Sequence, residues 1–333
     1  MTDPVLQTPW SGFESLRFDQ AAERLAGVAL RTPIVELPSP DPRVALFGKL
    51  ENRQVTGAFK ARGAWNNVVQ LSDEDRAAGV VCASSGNHGR ALAWAARKAG
   101  VPATIVMPKD AYPNKIEACR AEEAEVVLAE TRSSANDLCA ERVAAGQVLI
   151  HPYDLDGTIE GAGTVGLEIH DQMPDVEAVL IPVGGGGLTA GCSLALRRAK
   201  GHDLKVVAIE PEGAATLTRG LAASEPVICD PITTEIQGLC PPSAGRRNIE
   251  ICGVTVDDVW TVRDDQVYAA QKVLVDMGEI VEPAGAATYA AAVAGLADAW
   301  VARRSAANPL RVVVIVSGGN PHPDQLRLLR EGA

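Results

Sequence analysis

Short apolar runs recur at 80–83, 103–107, 126–128, 178–183, 205–209 and 311–316, separated by segments in which Ala, Leu and Val return at helical spacing. The helical segments are clearest at 88–100, 133–146, 264–278 and 285–304. Such alternation predicts a mostly parallel sheet with helices on both faces, because two parallel strands need a crossover long enough to hold a helix. Only 4% of the 333 residues are aromatic while 47% are hydrophobic, so Ala, Val, Leu and Ile must fill the interior. An α/β class follows, with room for one large domain or two modest ones.

The longest uncharged run, 178–196, would be long enough to tempt a membrane assignment. Pro182 and the glycines Gly184, Gly185, Gly186 and Gly187 interrupt it, which makes it strand, loop and helix instead. A formal charge of −11 disfavours nucleic acid or an anionic membrane as a partner. The first residues carry Asp3, Glu14 and Arg17 and lack a basic segment followed by an apolar core, so no signal peptide is expected and a cytoplasmic protein is. Seven dispersed cysteines form no CxxC pair and read as buried fillers in a reducing compartment. The five histidines show no HExxH spacing, which leaves no case for a catalytic metal. Prolines and glycine at Pro241, Pro242 and Gly245 mark an irregular stretch over 235–250 that is expected to line a site.

Four segments carry chemistry. Thr56-Gly57-Ala58-Phe59-Lys60-Ala61-Arg62-Gly63 places one lysine among small and aromatic residues at a loop-to-helix entrance. Burial there would lower the pKa of Lys60 and free the neutral amine that a Schiff base requires, although a lone lysine is ordinarily a surface residue. Ser84-Ser85-Gly86-Asn87-His88-Gly89 follows a strand and opens a helix, where bare N–H groups favour a carboxylate or phosphate and where Ser and Asn also serve as caps. Gly184-Gly185-Gly186-Gly187-Leu188-Thr189 again joins strand to helix, and consecutive glycines expose the donors that cradle a phosphate. It matches neither GxGxxG nor GxxxxGK[ST]. Ser317-Gly318-Gly319-Asn320 ends the last strand, and sheet ligands sit off such carboxyl ends.

In order and context these segments resemble the β-family, or fold-type II, of pyridoxal-5′-phosphate (PLP) enzymes, and most closely the serine/threonine dehydratase and serine racemase group. Gly161-Ala162-Gly163-Thr164 before a helix, Ala208-Ile209-Glu210-Pro211 after a strand, and Glu282-Pro283-Ala284-Gly285 ahead of an alanine-rich helix extend the resemblance over nearly the whole chain. Within the family, Phe-Lys-x-Arg-Gly and Ser-Ser-Gly-Asn-His-Gly favour the dehydratase and racemase branch over cysteine synthases.

The resemblance implies two open, mostly parallel sheets with helices on both faces: a large PLP-binding domain from 1–80 and 151–333 and a small domain from 81–150. It implies that Lys60 binds the cofactor covalently and removes the substrate α-proton, with Phe59 packing near the cofactor. By the same resemblance Gly184, Gly185, Gly186, Gly187 and Leu188 would hold the phosphate, and Asn87 the pyridine 3′-oxygen. Ser317 would face the pyridine nitrogen, where a hydroxyl tempers carbanion delocalisation and favours prompt loss of a β-leaving group. Ser84, Ser85, Asn87 and His88 would receive the substrate carboxylate. The expected reaction is elimination of water and ammonia from a small β-hydroxy amino acid such as L-threonine or L-serine, leaving a 2-oxo acid. Ser85 occupies the position of the second acid of serine racemases, so racemisation is the alternative, beside a threo-3-hydroxyaspartate or phenylserine dehydratase. A β-replacement enzyme and a nucleotide-binding protein on a doubly wound fold are further readings, and the latter leaves Lys60 without a role.

Two departures stand out. The family's divalent-cation site finds Glu210 and Ala214 matched, but Thr216 replaces the expected acid, so the case for Mg²⁺ is weak. Ile236-Gln237-Gly238-Leu239 replaces a common Ala-Asp-Gly and leaves the substrate side chain open, with Arg246 and Arg247 as a possible pair for an acidic one. A homodimer is the family expectation, and an end soon after Asn320 implies no C-terminal regulatory domain.

Overall fold

The computed structural model describes residues 10, 12–296 and 298–331. The expectation of no signal peptide concerns in part residues 1–9 and 11, which lie outside the described residues. Ten strands form two sheets: β1 (Ile34–Leu37), β2 (Val44–Lys49), β3 (Val80–Ala83), β4 (Ala103–Pro108), β5 (Glu125–Ala129), β6 (Val148–Leu149), β7 (Ala178–Pro182), β8 (Lys205–Pro211), β9 (Asp258–Val262) and β10 (Leu310–Ile315). The larger sheet has the order β1-β2-β10-β7-β8-β9 and the smaller β5-β4-β3-β6. Every pairing is parallel except β1 with β2. The smaller sheet thus comes from one continuous stretch, and the larger from chain on either side of it.

The central strands explain why the sheet is parallel and sandwiched. All five residues of β7 are buried, as are Val312–Ile315 at the heart of β10, so each needs apolar cover on both faces. The helix Pro283–Ala294 supplies one cover with alanines that let it sit close to β7 and β10. On the other face lie the helices Asp156–Gln172 and Gly187–Lys200. These two cross at backbone contact, where a Cβ on Gly191 would come within 2.7 Å of the Gly163 nitrogen, and the first also meets the helix Lys60–Val68, where a Cβ on Gly161 would come within 2.6 Å of the Arg62 carbonyl oxygen. Glycine weakens a helix by about 1 kcal/mol relative to alanine, and close tertiary packing compensates here.

That packing corrects the expectation for Gly161-Ala162-Gly163-Thr164, which lies inside the helix Asp156–Gln172 and not ahead of it. Likewise Ala208-Ile209-Glu210-Pro211 belongs to β8 itself. The alanine-rich helix ends at Ala294 before a positive φ of 121° at Gly295, with only the short helix Asp298–Val301 beyond, so 285–304 is not one helix. The stretch 235–250 is irregular only in its first part, because the helix Arg246–Thr255 starts within it. Among the described residues no helix is long and apolar enough to cross a membrane.

Candidate active site

All four singled-out segments follow the carboxyl ends of strands β2, β3, β7 and β10, and hydrogen bonds draw three of them together. Ala58 bridges Gly318, the Phe59 N–H donates to the Ser317 carbonyl (3.2 Å), and the Gly319 N–H donates to the Gly57 carbonyl (2.7 Å). Gly57 has φ +75° and a Cβ there would lie 2.6 Å from Asn320 Oδ1, so both the turn and the close approach require glycine. Asn320 Nδ2 donates to the Thr56 carbonyl (3.0 Å) and to Asn87 Oδ1 (2.8 Å), while Arg90 holds Asn320 Oδ1 from the other side (2.6 Å).

Lys60 is the first residue of the helix Lys60–Val68, which has no side-chain cap and is positioned from below by Arg62. The Arg62 guanidinium binds Glu51 (2.7 Å) and Glu168 (2.7 Å), deep in the interior. Lys60 points the opposite way. Its Nζ donates to the Pro152 carbonyl (2.6 Å) and stands 4.9 Å from the centre of the Phe59 ring, and among the described residues no carboxylate pairs with it. Burial alone lowers its pKa to about 8.

The next residue along, Tyr153, connects this amine to the glycine loop. A Cβ on Gly187 would come within 2.6 Å of the Tyr153 carbonyl oxygen, and the Tyr153 ring occupies the space a side chain on Gly185 would need. Gly186 takes φ +92° and would press a Cβ to 2.9 Å of Asn248. Asn248 Nδ2 ties the carbonyls of Gly185 (2.8 Å) and Tyr153 (2.9 Å) together. Among the described residues the N–H groups of Gly184, Gly185 and Gly186 meet no protein acceptor, and those of Gly187 and Leu188 stand in a first helical turn that offers none. A phosphorylated aldehyde fits this arrangement: a desolvated amine to condense with, and a run of free amides at a helix N-terminus for the phosphate.

Asn87 begins the helix Asn87–Ala99, and its Nδ2 donates to Glu282 Oε1 (2.5 Å). Glu282 lies just before Pro283, in space that a side chain on Gly318 would fill, and burial holds its carboxyl above the usual range against the opposing pull of Asn87 and Lys115. Ser317 is buried with its Oγ 3.4 Å from the Ala284 carbonyl. The Gly86 N–H donates to Ser84 Oγ (3.3 Å), and Ser85 is half-buried on a cleft between the two sheets' loops. His88 differs from expectation: its ring turns inward, with Nε2 2.7 Å from the Ile150 carbonyl, and burial lowers its pKa to about 3. Only its backbone N–H remains at the helix entrance.

Glu210 and Thr216 are turned to other tasks as well. The Glu210 carboxylate accepts from Leu217 N (2.9 Å) and Thr218 N (3.1 Å), and Thr216 Oγ1 donates to the Gly184 carbonyl (3.0 Å), steadying the glycine loop. Arg246 and Arg247 stay on the surface, Arg246 near Glu225 (3.9 Å) and Arg247 with Asp156 (3.2 Å) and over the Phe13 ring. Sequence reasoning passed over Pro152, Tyr153 and Asn248, which carry no motif, and gave no role to Glu282 and Asn320 although both stood inside quoted segments.

A family model described as "Pyridoxal-phosphate dependent enzyme" matches residues 26–318. The chain is 39% identical over 260 residues to the phenylserine dehydratase of Ralstonia pickettii, covering 77% of this chain and 79% of that protein. It is 33% identical over 290 residues to the L-threonine ammonia-lyase of Thermotoga maritima, covering 86% of this chain and 70% of that one. The structure of maize serine racemase superposes with a TM-score of 0.84 at 33% identity, covering 95% and 96% of the two chains. With a half-buried amine and a run of free amides at the carboxyl ends of its strands and a match over most of its length, this chain belongs to the fold-type II family of PLP-dependent enzymes.

Proposed function

We propose that the protein is an ammonia-lyase that converts a small β-hydroxy amino acid to a 2-oxo acid and ammonia. The observation that carries this reading is Lys60: a half-buried amine with no carboxylate partner among the described residues, opposite a run of bare amides and beside the serine-lined helix entrance. Relatives named as a phenylserine dehydratase and an L-threonine ammonia-lyase point to the same reaction type.

In this reading Lys60 carries the cofactor, and Gly184, Gly185, Gly186, Gly187 and Leu188 hold its phosphate through N–H groups. When bound, the cofactor supplies the electron sink for the pair left at Cα. Asn87, fixed between Glu282 and Asn320, orients the ring through its amide, and Phe59 packs against it. Ser317 offers the ring nitrogen a neutral hydroxyl. The substrate carboxylate sits at the N-terminus of the helix Asn87–Ala99, received by Ser84, Ser85 and the Asn87 and His88 amides, which places the α-proton before Lys60 Nζ. An amine with a pKa near 8 holds enough neutral form near physiological pH to take that proton. In this reading a small domain at about residues 81–150 and a large one from the rest of the chain face each other across the cleft.

The test is absorbance of the purified protein with added PLP, before and after borohydride, with 2-oxo acid release recorded for L-threonine and L-serine. A violet-region band fixed by borohydride, together with 2-oxo acid, is the expected result; neither signal would overturn the reading. Racemisation is favoured by one observation, Ser85 on the cleft, as well as by the similarity to maize serine racemase. D-serine formed from L-serine faster than 2-oxo acid would replace the lyase reading with it.

A further inference from the structure

The cleft that Ser85 borders has a volume of about 270 Å³ and is also lined by Lys115, Arg132, Asp110, Tyr112 and Gln237. Lys115 belongs to the helix Pro113–Arg120 and Arg132 opens the helix Arg132–Ala144, both beside the smaller sheet. Gln237 comes from the irregular stretch on the opposite wall. Lys115 Nζ lies 3.5 Å from Gln237 Oε1 and 5.4 Å from the centre of the Tyr112 ring, and Gln237 Nε2 donates to the Tyr112 hydroxyl (3.4 Å). On that same far wall burial pushes the Cys240 thiol up, and the charge of Arg132 opposes the shift.

The neighbouring cations are spoken for. Lys109 pairs with Glu130, Arg120 with Glu117 (3.0 Å) and Arg142 with Glu125 (2.8 Å). Lys115 and Arg132 make no ion pair among the described residues, even though Asp110 shares the cleft. Lys115 and Arg132 face Asp110 in this concave site, and Glu282, on which Lys115 also acts, is held above the usual carboxylate range by burial, so the cleft favours an added anion beside Ser85. A methyl or phenyl substituent placed there would crowd both cations and give them no partner, whereas a carboxylate would accept charge-assisted hydrogen bonds from each.

We propose that this cleft is the subsite for the substrate's β-substituent and that it selects an anionic one, a 3-hydroxy amino acid bearing a second carboxylate of the 3-hydroxyaspartate class. The distal carboxylate lies between Lys115 and Arg132, with the Tyr112 hydroxyl and the Gln237 amide as neutral donors. The inference rests on the lyase reading, and Arg246 and Arg247 take no part in it. The Cα proton passes to Lys60 Nζ and the β-hydroxyl leaves with a proton as water. The enamine so formed tautomerises to an imine, which one water hydrolyses. The net change is 3-hydroxyaspartate to oxaloacetate plus ammonium, with no external oxidant or reductant.

The experiment measures 2-oxo acid release by the PLP-loaded enzyme from threo- and erythro-3-hydroxyaspartate, L-serine, L-threonine and phenylserine. The expected result is a kcat/KM for one 3-hydroxyaspartate isomer at least ~10-fold above those of the others, since each cation adds a charge-assisted hydrogen bond to the distal carboxylate. In Lys115→Gln and Arg132→Gln the ratio of kcat/KM for 3-hydroxyaspartate over L-serine falls by ~10-fold or more. Preference for L-threonine or phenylserine, or ratios unchanged in both variants, overturns the subsite and leaves the lyase reading standing. If no amino acid yields 2-oxo acid, the absorbance change on adding L-aspartate decides. A change lost in both variants removes the lyase reading and keeps the anion subsite, and no change removes both.

Discussion

Two lysines only eleven positions apart in sequence, Lys49 fully and Lys60 partly taken out of water, end in opposite states. Lys49 closes β2 with no exposed surface, and its Nζ donates to Glu168 (2.6 Å), Gln172 (2.8 Å) and the Thr32 carbonyl (2.7 Å). Glu51 and Arg62 complete a buried cluster in which each charge has a partner. Burial pushes the Lys49 ammonium down, and Glu168 and Glu51 oppose it. Lys60 has one carbonyl and no carboxylate, so nothing opposes burial and its pKa falls to about 8. Burial by itself does not make a lysine reactive. Burial without a counter-charge does, and the paired cluster beneath Arg62 is what holds the helix that presents the unpaired one.

The comparison breaks first at Lys60. Lys60→Ala should abolish borohydride-stable cofactor attachment and lower turnover at least ~10⁴-fold, as loss of a residue that both carries and deprotonates would; full turnover in a clean variant would refute the assignment. On the other side, Lys49→Met or Arg62→Met should leave an unpartnered buried charge and destabilise the protein by about 3–5 kcal/mol, read by thermal unfolding of the apoprotein. Each variant should still attach the cofactor at a temperature where it is folded. Attachment lost there would show that the two lysines are not separable.

A third measurement follows the proton. Below its folded pKa the Lys60 amine is protonated and unreactive, so the rate at which the apoprotein takes up PLP should rise about tenfold per pH unit and level off near pH 8. A midpoint near 10.5, the ordinary lysine value, would mean that the amine is solvated and that the contrast with Lys49 fails. The smallest effect is expected at Glu282→Gln. It keeps the size of the side chain but replaces a charge-assisted bond to Asn87 with a neutral one, and cofactor affinity should weaken by about 1 kcal/mol, some fivefold.

Much of this was legible in the residues. Six apolar runs became β3, β4, β5, β7, β8 and β10: all but β5 are largely buried and leave a continuous apolar signature, while the half-exposed edge strand β5 was legible from Val126-Val127-Leu128. The edge strands β1 and β9 and the two-residue β6 escaped, since a half-exposed or very short strand alternates with polar residues and shows no such run. β2 escaped for a different reason, a glycine and a terminal lysine within it. Glycines misled in the helix Asp156–Gln172, where low helical propensity hides a close backbone crossing.

By itself the sequence determined the α/β class, the order of the four segments and the identity of the one lysine set among small residues, because strand burial, helix spacing and glycine runs are local properties written in neighbouring residues. Only the tertiary structure decided that Lys60 lacks a counter-charge while Lys49 has one, that the His88 ring turns inward, that Tyr153 fills the gap between amine and glycine loop, and that Lys115 and Arg132 line one cleft with Ser85. Each of these depends on what approaches from a distant part of the chain, and a charge takes its state from the groups around it in space.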